Sequence, residues 1–168
     1  MDGGKLHIPI IHYPNFLNMY LKSINDGEKI SLVEKLGKNC IMRFFLDIDK
    51  YINIDNILDK AIKITKCKDF NIYKCNTNVG IHIVFNMSVT NIEAQKLCAD
   101  IQQAVSNIES KHIDPSVYNT GLRMIGSYKK DDHRYYSFNN SKRTQLTKED
   151  IKNSSIRFSN INIDLKFV

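Results

Sequence analysis

Phe44-Phe45-Leu46-Asp47-Ile48-Asp49-Lys50 is the stretch whose reading decides the fold. It closes an apolar run that begins Ile41-Met42-Arg43, so Cys40 to Asp49 reads as a central strand. Residues i and i+2 of a strand share a face. Asp47 and Asp49 therefore point into one space, where their repulsion has to be offset. A divalent cation is the usual solution. The plain alternative is a strand end whose solvated acids lead into a turn at Lys50.

Upstream of this run, Pro14 opens a helix through about Ile24, with Leu17, Tyr20, Leu21 and Ile24 on one side, and Asp26-Gly27 marks the turn after it. Downstream, residues 53–66 carry the helical stripe Ile54, Ile57, Leu58, Ala61 and Ile62. Phe70–Lys74 reads as a short strand. Val79, Ile81, Ile83 and Phe85 alternate, which predicts a strand over 79–86 with His82 on its opposite face. These two strands read as a hairpin across Asn76-Thr77-Asn78. Thr90 with Glu93 forms a capping box for a helix to about Glu109, buried through Leu97, Ile101, Ala104, Val105 and Ile108. Leu122–Ser127 and Arg134–Phe138 read as strands, Lys148–Lys152 as a short helix, and Ile156–Phe158 and Ile161–Phe167 as strands. The order predicts an α+β fold with a mainly antiparallel sheet, in a single domain spanning residues 1–168.

The chain has 168 residues, 42% of them hydrophobic, which suffices for a real interior. Its formal net charge of +6 favours anionic partners such as nucleic acid or nucleotides. Frequent Ile, Asn and Lys are also what an AT-rich genome produces, which weakens that inference. Cys40, Cys67, Cys75 and Cys98 form no CxxC pair or zinc-knuckle spacing, so they read as reduced, mostly buried small hydrophobes. No stretch has the length and apolarity of a membrane span, and the N-terminus lacks a signal-peptide core. The expectation is a soluble protein of a reducing intracellular compartment, not a secreted one.

A third acid stands in Ile113-Asp114-Pro115-Ser116-Val117-Tyr118-Asn119-Thr120-Gly121-Leu122-Arg123-Met124-Ile125-Gly126-Ser127-Tyr128-Lys129-Lys130. Asp114 could simply cap a turn, and Arg123 and Lys129 could be surface charges. A lone Arg between Leu122 and Met124, however, could reach a phosphate bidentately. His82 sits in Asn78-Val79-Gly80-Ile81-His82-Ile83-Val84-Phe85, and Gly80 permits close approach of a ligand or backbone. The imidazole could donate to a phosphate oxygen, or be a half-buried strand histidine bonded to a neighbour. Three acids and a histidine also suit a metal-dependent hydrolase.

In this order the three segments resemble the three-motif pattern of the archaeo-eukaryotic primases: an apolar run with Asp-x-Asp, a small-x-His strand, and an apolar-Asp. The branch most similar is that of the D5-like primase–helicases of large cytoplasmic DNA viruses, in which the third motif extends into a Val-Tyr, an Arg-bearing strand and a Gly-Ser-x-Lys tail. Here these are Val117-Tyr118, Leu122-Arg123-Met124 and Gly126-Ser127-Tyr128-Lys129. The resemblance covers a motif-bearing core of about 40–138.

The resemblance implies a catalytic core made of a small αβ unit packed on an RRM-like unit. It implies a DNA-directed primase–polymerase that transfers nucleotides from NTP or dNTP to a 3′-hydroxyl. Asp47, Asp49 and Asp114 would be catalytic and hold two Mg²⁺ or Mn²⁺ ions, and no structural zinc is expected. His82, Arg123, Lys129 and Gly80 would form the nucleotide pocket. Single-stranded DNA template would follow a basic groove for which Lys5, Lys22, Arg134, Lys142 and Arg143 are candidates, with Tyr135 and Tyr136 able to stack a base or to pack internally. A replicative helicase module is the expected partner, in cis if the chain is an excised domain or in trans if it stands alone, since no GxxxxGK phosphate loop is present. Extension of primers is expected more than initiation, and the host cytoplasm is the implied location. Two rival readings are a non-catalytic nucleic-acid-binding module with a primase fold and a metal-dependent nuclease.

Overall fold

The computed structural model describes residues 8–37, 39–50, 54–76, 79–129, 135–138 and 145–157. After a 3₁₀ turn at Ile10–His12 come α1 (Tyr13–Asn25), β1 (Val33–Glu34), β2 (Ile41–Asp49), α2 (Asp55–Thr65), β3 (Phe70–Cys75), β4 (Gly80–Thr90), α3 (Asn91–Ala104), α4 (Asn107–Ser110), α5 (Val117–Thr120), β5 (Leu122–Arg123), β6 (Tyr136–Phe138) and α6 (Lys148–Ser154). Four strands form a sheet in the order β2-β4-β3-β6, and β1 pairs with β5 in a separate ribbon. All these pairings are antiparallel, as the α+β expectation requires.

The strand predicted over 79–86 is the central one. It runs four residues further, to Thr90, and is buried on both faces from Gly80 to Phe85. β2 is an edge strand, which corrects the expectation of a central one. Its two-sided burial has another source: segments from elsewhere close its outer edge. Arg43 N–H donates to the Ile156 carbonyl (2.7 Å) and Asp49 N–H to that of His112 (2.7 Å). The Phe45 carbonyl accepts from the Tyr118 hydroxyl (2.5 Å), and that of Asp47 accepts from Asp114 N–H (2.9 Å). The outward backbone groups of β2 are thus satisfied without a fifth strand.

Alternation divides the sheet into two faces. One carries Phe44, Leu46 and Ile48 of β2 with Ile81, Ile83 and Phe85 of β4, all at most 1% exposed. Helix α3 packs on β2 and β4, and α2 packs on α3. Ile57, Ala61, Ala94, Cys98 and Ile101 supply their buried stripes. Each such aliphatic or aromatic side chain contributes roughly 1.5–3 kcal/mol on burial. The other face carries Asp47, Asp49, His82 and Gly80. There α6 packs on β3 and α1 on α6.

Several expected boundaries move. α3 stops at Ala104 because Val105 is extended and Ser106 opens a new capping box with Glu109, so Ile108 lies on a separate short helix and is 70% exposed rather than buried. The strand expected over 122–127 shrinks to Leu122–Arg123, since Gly126 turns the chain at φ +77°. Ile156 and Arg157 form a bend, not a strand, because Glu34 captures them: it accepts from Ser155 Oγ (2.8 Å), Ile156 N–H (2.9 Å) and Arg157 Nε (2.8 Å). The β3–β4 hairpin forms, while Thr77 and Asn78 of its turn and the Ile161–Phe167 segment lie outside the described residues. Cys75 and Cys98 are buried, Cys40 and Cys67 half-buried, and none is in a disulfide.

Candidate functional site

Asp47, Asp49, Asp114, His82, Arg123 and Lys129 all line one cavity of about 280 Å³, together with Val33, Val117, Thr120, Gly121 and Tyr136. That volume lies just below the ~300–1,000 Å³ usual for small-ligand sites. It suits a small polar ligand.

The sheet register places Asp47, Asp49 and His82. Asp47 pairs directly with His82, and Asp49 with Gly80, so the acids of β2 and the histidine of β4 share a face. Lys50, at φ +67°, then turns the chain away and ends the strand beyond Asp49. Asp114 joins from a distant segment because its N–H bonds to the Asp47 carbonyl, beside an isolated bridge between Ile48 and Ile113.

Asp47 is only partly compensated, by the charges of Arg123 and Lys129. Asp47 Oδ1 is buried with no hydrogen-bond partner. Burial, then the charges of Asp49 and Asp114, push the Asp47 carboxyl up to about 7. His82 Nε2 lies 3.6 Å from that oxygen, within ion-pair range but beyond a hydrogen bond. Burial, then Arg123, push the imidazole down to about 3, so it stands here as a neutral ring rather than an imidazolium. A buried oxygen with no hydrogen bond, beside two further acids that Arg123 and Lys129 only partly offset, is the chemistry that a hard cation answers.

The third acid is already engaged by a neighbour. Asp114 Oδ1 accepts from Ser116 N–H (2.8 Å) and Oδ2 from Ser116 Oγ (2.9 Å), a turn that engages both oxygens. Accordingly, among the described residues no group of three or more His, Cys, Asp or Glu side chains is arranged to hold a metal ion. The donor types fit Mg²⁺ or Mn²⁺. The three acids line one cavity without closing into a cage.

Arg123 reaches the cavity from the β1–β5 ribbon, where it pairs with Val33. Its guanidinium donates to Ser31 Oγ (3.1 Å) and to the Tyr128 carbonyl (3.0 Å), which fixes its direction. Gly126-Ser127 proves to be a staple. The fully buried Ser127 hydroxyl accepts from Leu32 N–H (2.5 Å), and Tyr128 N–H donates to the Ile30 carbonyl (2.7 Å). This ties the segment before Lys129 to the one bearing β1. A Cβ on Gly126 would lie 2.7 Å from Leu146 Cδ1 and 2.9 Å from Ile24 Cγ2.

Gly80 does not line the cavity. A Cβ there would fall 2.5 Å from the Tyr136 hydroxyl, so the close approach it permits is that of Tyr136. Tyr136, 7% exposed, stacks on His82 with ring centroids 3.5 Å apart. Tyr135 is half-buried and stacks on Tyr128 at 5.8 Å. Lys22 is exposed near the end of α1, while Lys5, Arg134, Lys142 and Arg143 lie outside the described residues. Sequence reading did not single out Val33, Thr120 and Gly121, whose apolar or small side chains carried no chemical signal, or Glu34, whose partners lie far along the chain.

The sequence model of a family described as the C962R protein N-terminal AEP domain matches residues 1–141, a span that includes every cavity-lining residue; AEP stands for archaeo-eukaryotic primase. No curated protein matches the chain. Among the described residues no helix is long and apolar enough to cross a membrane.

Proposed function

The chain belongs to the archaeo-eukaryotic primase (AEP) domain family, and from that membership we propose that it is a template-dependent nucleotidyltransferase, a DNA primase–polymerase. The observation that carries the proposal is the meeting of six groups, from β2, β4, β5 and two loops, at one cavity. Three are acids and three are phosphate-binding types. A nuclease needs the acids, but it has less use for Arg123 and Lys129 on the same cavity wall.

In the reaction the primer's 3′-oxygen attacks the α-phosphorus of the incoming nucleotide, and the bond to pyrophosphate breaks. Asp47 and Asp49 would hold the divalent cation, with Asp114 joining once its carboxylate leaves Ser116. When bound, Mg²⁺ or Mn²⁺ supplies activation of the attacking oxygen and stabilisation of the leaving group. His82, as a neutral ring, would give one N–H to a phosphate oxygen. Arg123 and Lys129 would balance the triphosphate's charge, Arg123 from a direction set by Ser31 and Tyr128. Single-stranded template would bind by a mainly electrostatic surface. A helicase module as partner, a viral replication site in the host cytoplasm, and closeness to the D5-like branch belong to the same proposal. So does an RRM-like unit, which the β2-α2-β3-β4-α3 order supports, with residues 112–114 lying beside β2 as a residual last strand.

The test incubates the protein with primed single-stranded template, NTPs or dNTPs, and Mg²⁺ or Mn²⁺, and resolves the products by length. The expected result is primer extension by wild type and none by Asp49→Ala, with template binding retained. Template binding without any product would support a non-catalytic module. Template degradation would support a nuclease.

A further inference from the structure

His82 is held on two sides. One edge meets Asp47, and one face meets the Tyr136 ring, 19° from parallel. The stack follows from the sheet. Asp49 pairs with Gly80 and Cys75 pairs with Tyr136, and the β3–β4 register, continued one step beyond Lys74–Ile81, sets Cys75 beside Gly80. Small residues at 75 and 80 leave that row open. Tyr136 can then lie across it, its hydroxyl above Gly80 and its ring on the neighbouring His82. The backbone of Tyr136 is itself fixed, because its carbonyl accepts from Gly126 N–H (2.9 Å) in the turn that leads to Lys129.

We propose that Tyr136 is a positioning residue that sets the His82 imidazole for contact with the nucleotide's phosphates, and that position 80 is glycine to admit the Tyr136 side chain. This rests on the nucleotidyltransferase reading, in that the phosphates are those of an incoming NTP or dNTP. Tyr136 lines the same cavity, and the role assigned to it acts through His82. It acts by removing the ring flip that His82 would otherwise have along the open row. Tyr136 also shields the face of the imidazole from water, and loss of the ring would expose that face.

The experiment compares wild type with Tyr136→Leu, Tyr136→Phe, Gly80→Ala and the double variant Gly80→Ala/Tyr136→Phe. One readout is the dissociation constant for a dNTP, titrated without template. The other is the NMR shift of the His82 ring protons, which a stacked phenol displaces upfield. Thermal melting checks that each variant is folded. Tyr136→Leu is expected to weaken dNTP binding about 5–10-fold, the loss of one aromatic pair, and to move the His82 signals downfield. Tyr136→Phe keeps the ring and should keep both readouts. Gly80→Ala should resemble Tyr136→Leu, since its Cβ would strike the hydroxyl at 2.5 Å. The double variant should recover, because the nearest ring carbon stands at 3.3 Å and need give only slightly.

Unchanged dNTP affinity and His82 shifts in Tyr136→Leu would overturn the positioning role alone. So would a double variant no better than Gly80→Ala. A wild-type protein that binds no dNTP would overturn the nucleotidyltransferase reading, and the inference with it.

Discussion

Glu34→Ala should destabilise the fold by about 3 kcal/mol, and the structure shows how that figure arises. Glu34 is 7% exposed and accepts from three donors on one short segment: Ser155 Oγ, Ile156 N–H and Arg157 Nε. Ser155 and Ile156 are buried, so each donor left unsatisfied costs about 1–3 kcal/mol. Arg157 is 31% exposed and can rehydrate, so its ion pair adds only about 0–1 kcal/mol. Against this, the variant no longer desolvates a carboxylate, which brings the sum back toward about 3 kcal/mol. For a chain of this size that corresponds to a fall in Tm of roughly 6–12 °C, read by far-UV circular dichroism and checked by urea titration. The loss should reach the site as well. Glu34 pairs with Leu122, and its neighbour Val33 with Arg123, so loosening β1 frees the ribbon that aims the guanidinium. Glu34→Gln, which keeps one acceptor, should fall between the two. A loss under about 1 kcal/mol in Glu34→Ala would refute the reasoning, because it would mean that the donors find other partners at no cost.

Other outcomes follow from the same structure. His82→Ala should raise the nucleotide dissociation constant by about 10-fold or more, as expected for one hydrogen bond to a charged group, while template affinity measured by fluorescence anisotropy changes little; equal losses in both would remove His82 from the nucleotide pocket. Gly126→Ala should cost about 2–4 kcal/mol, because a Cβ at a left-handed position would be forced against Leu146 and Ile24; a melting curve that overlays wild type would show that the turn can relax. Ser127→Ala leaves the partly buried Leu32 N–H without its acceptor and should cost about 1 kcal/mol, with faster amide exchange at Leu32 as the local sign; unchanged exchange there would contradict the staple.

Local signals in the sequence were the ones that survived into the structure. The alternation of Val79 to Phe85 and the Thr90/Glu93 box each depend only on residues within a turn or a strand, and both elements begin where they were expected to within a residue, though each ends elsewhere. Ser106 with Glu109 is a second box of the same kind, and its presence in the sequence could have ended α3 correctly. The edge position of β2 was not legible. Burial on both faces looks alike whether the strand's neighbours are strands or, as here, segments around His112, Tyr118 and Ile156. For the site, the residue types and their order sufficed to pick out six of the groups that line the cavity. What they could not reveal was orientation. Tyr136 laid over His82 and Arg123 held by Ser31 depend on contacts between segments that no spacing encodes, whereas the turn of Asp114 onto Ser116 is local and was open to sequence reading.

The measurement closest to the central claim is a Mn²⁺ titration of the folded protein in the presence of a non-hydrolysable dNTP, followed by electron paramagnetic resonance and repeated with Asp49→Asn. The account predicts Mn²⁺ held by wild type, with binding at least tenfold weaker, on the order of one lost charged ligand, in the variant. Equal Mn²⁺ binding by the two proteins would contradict it.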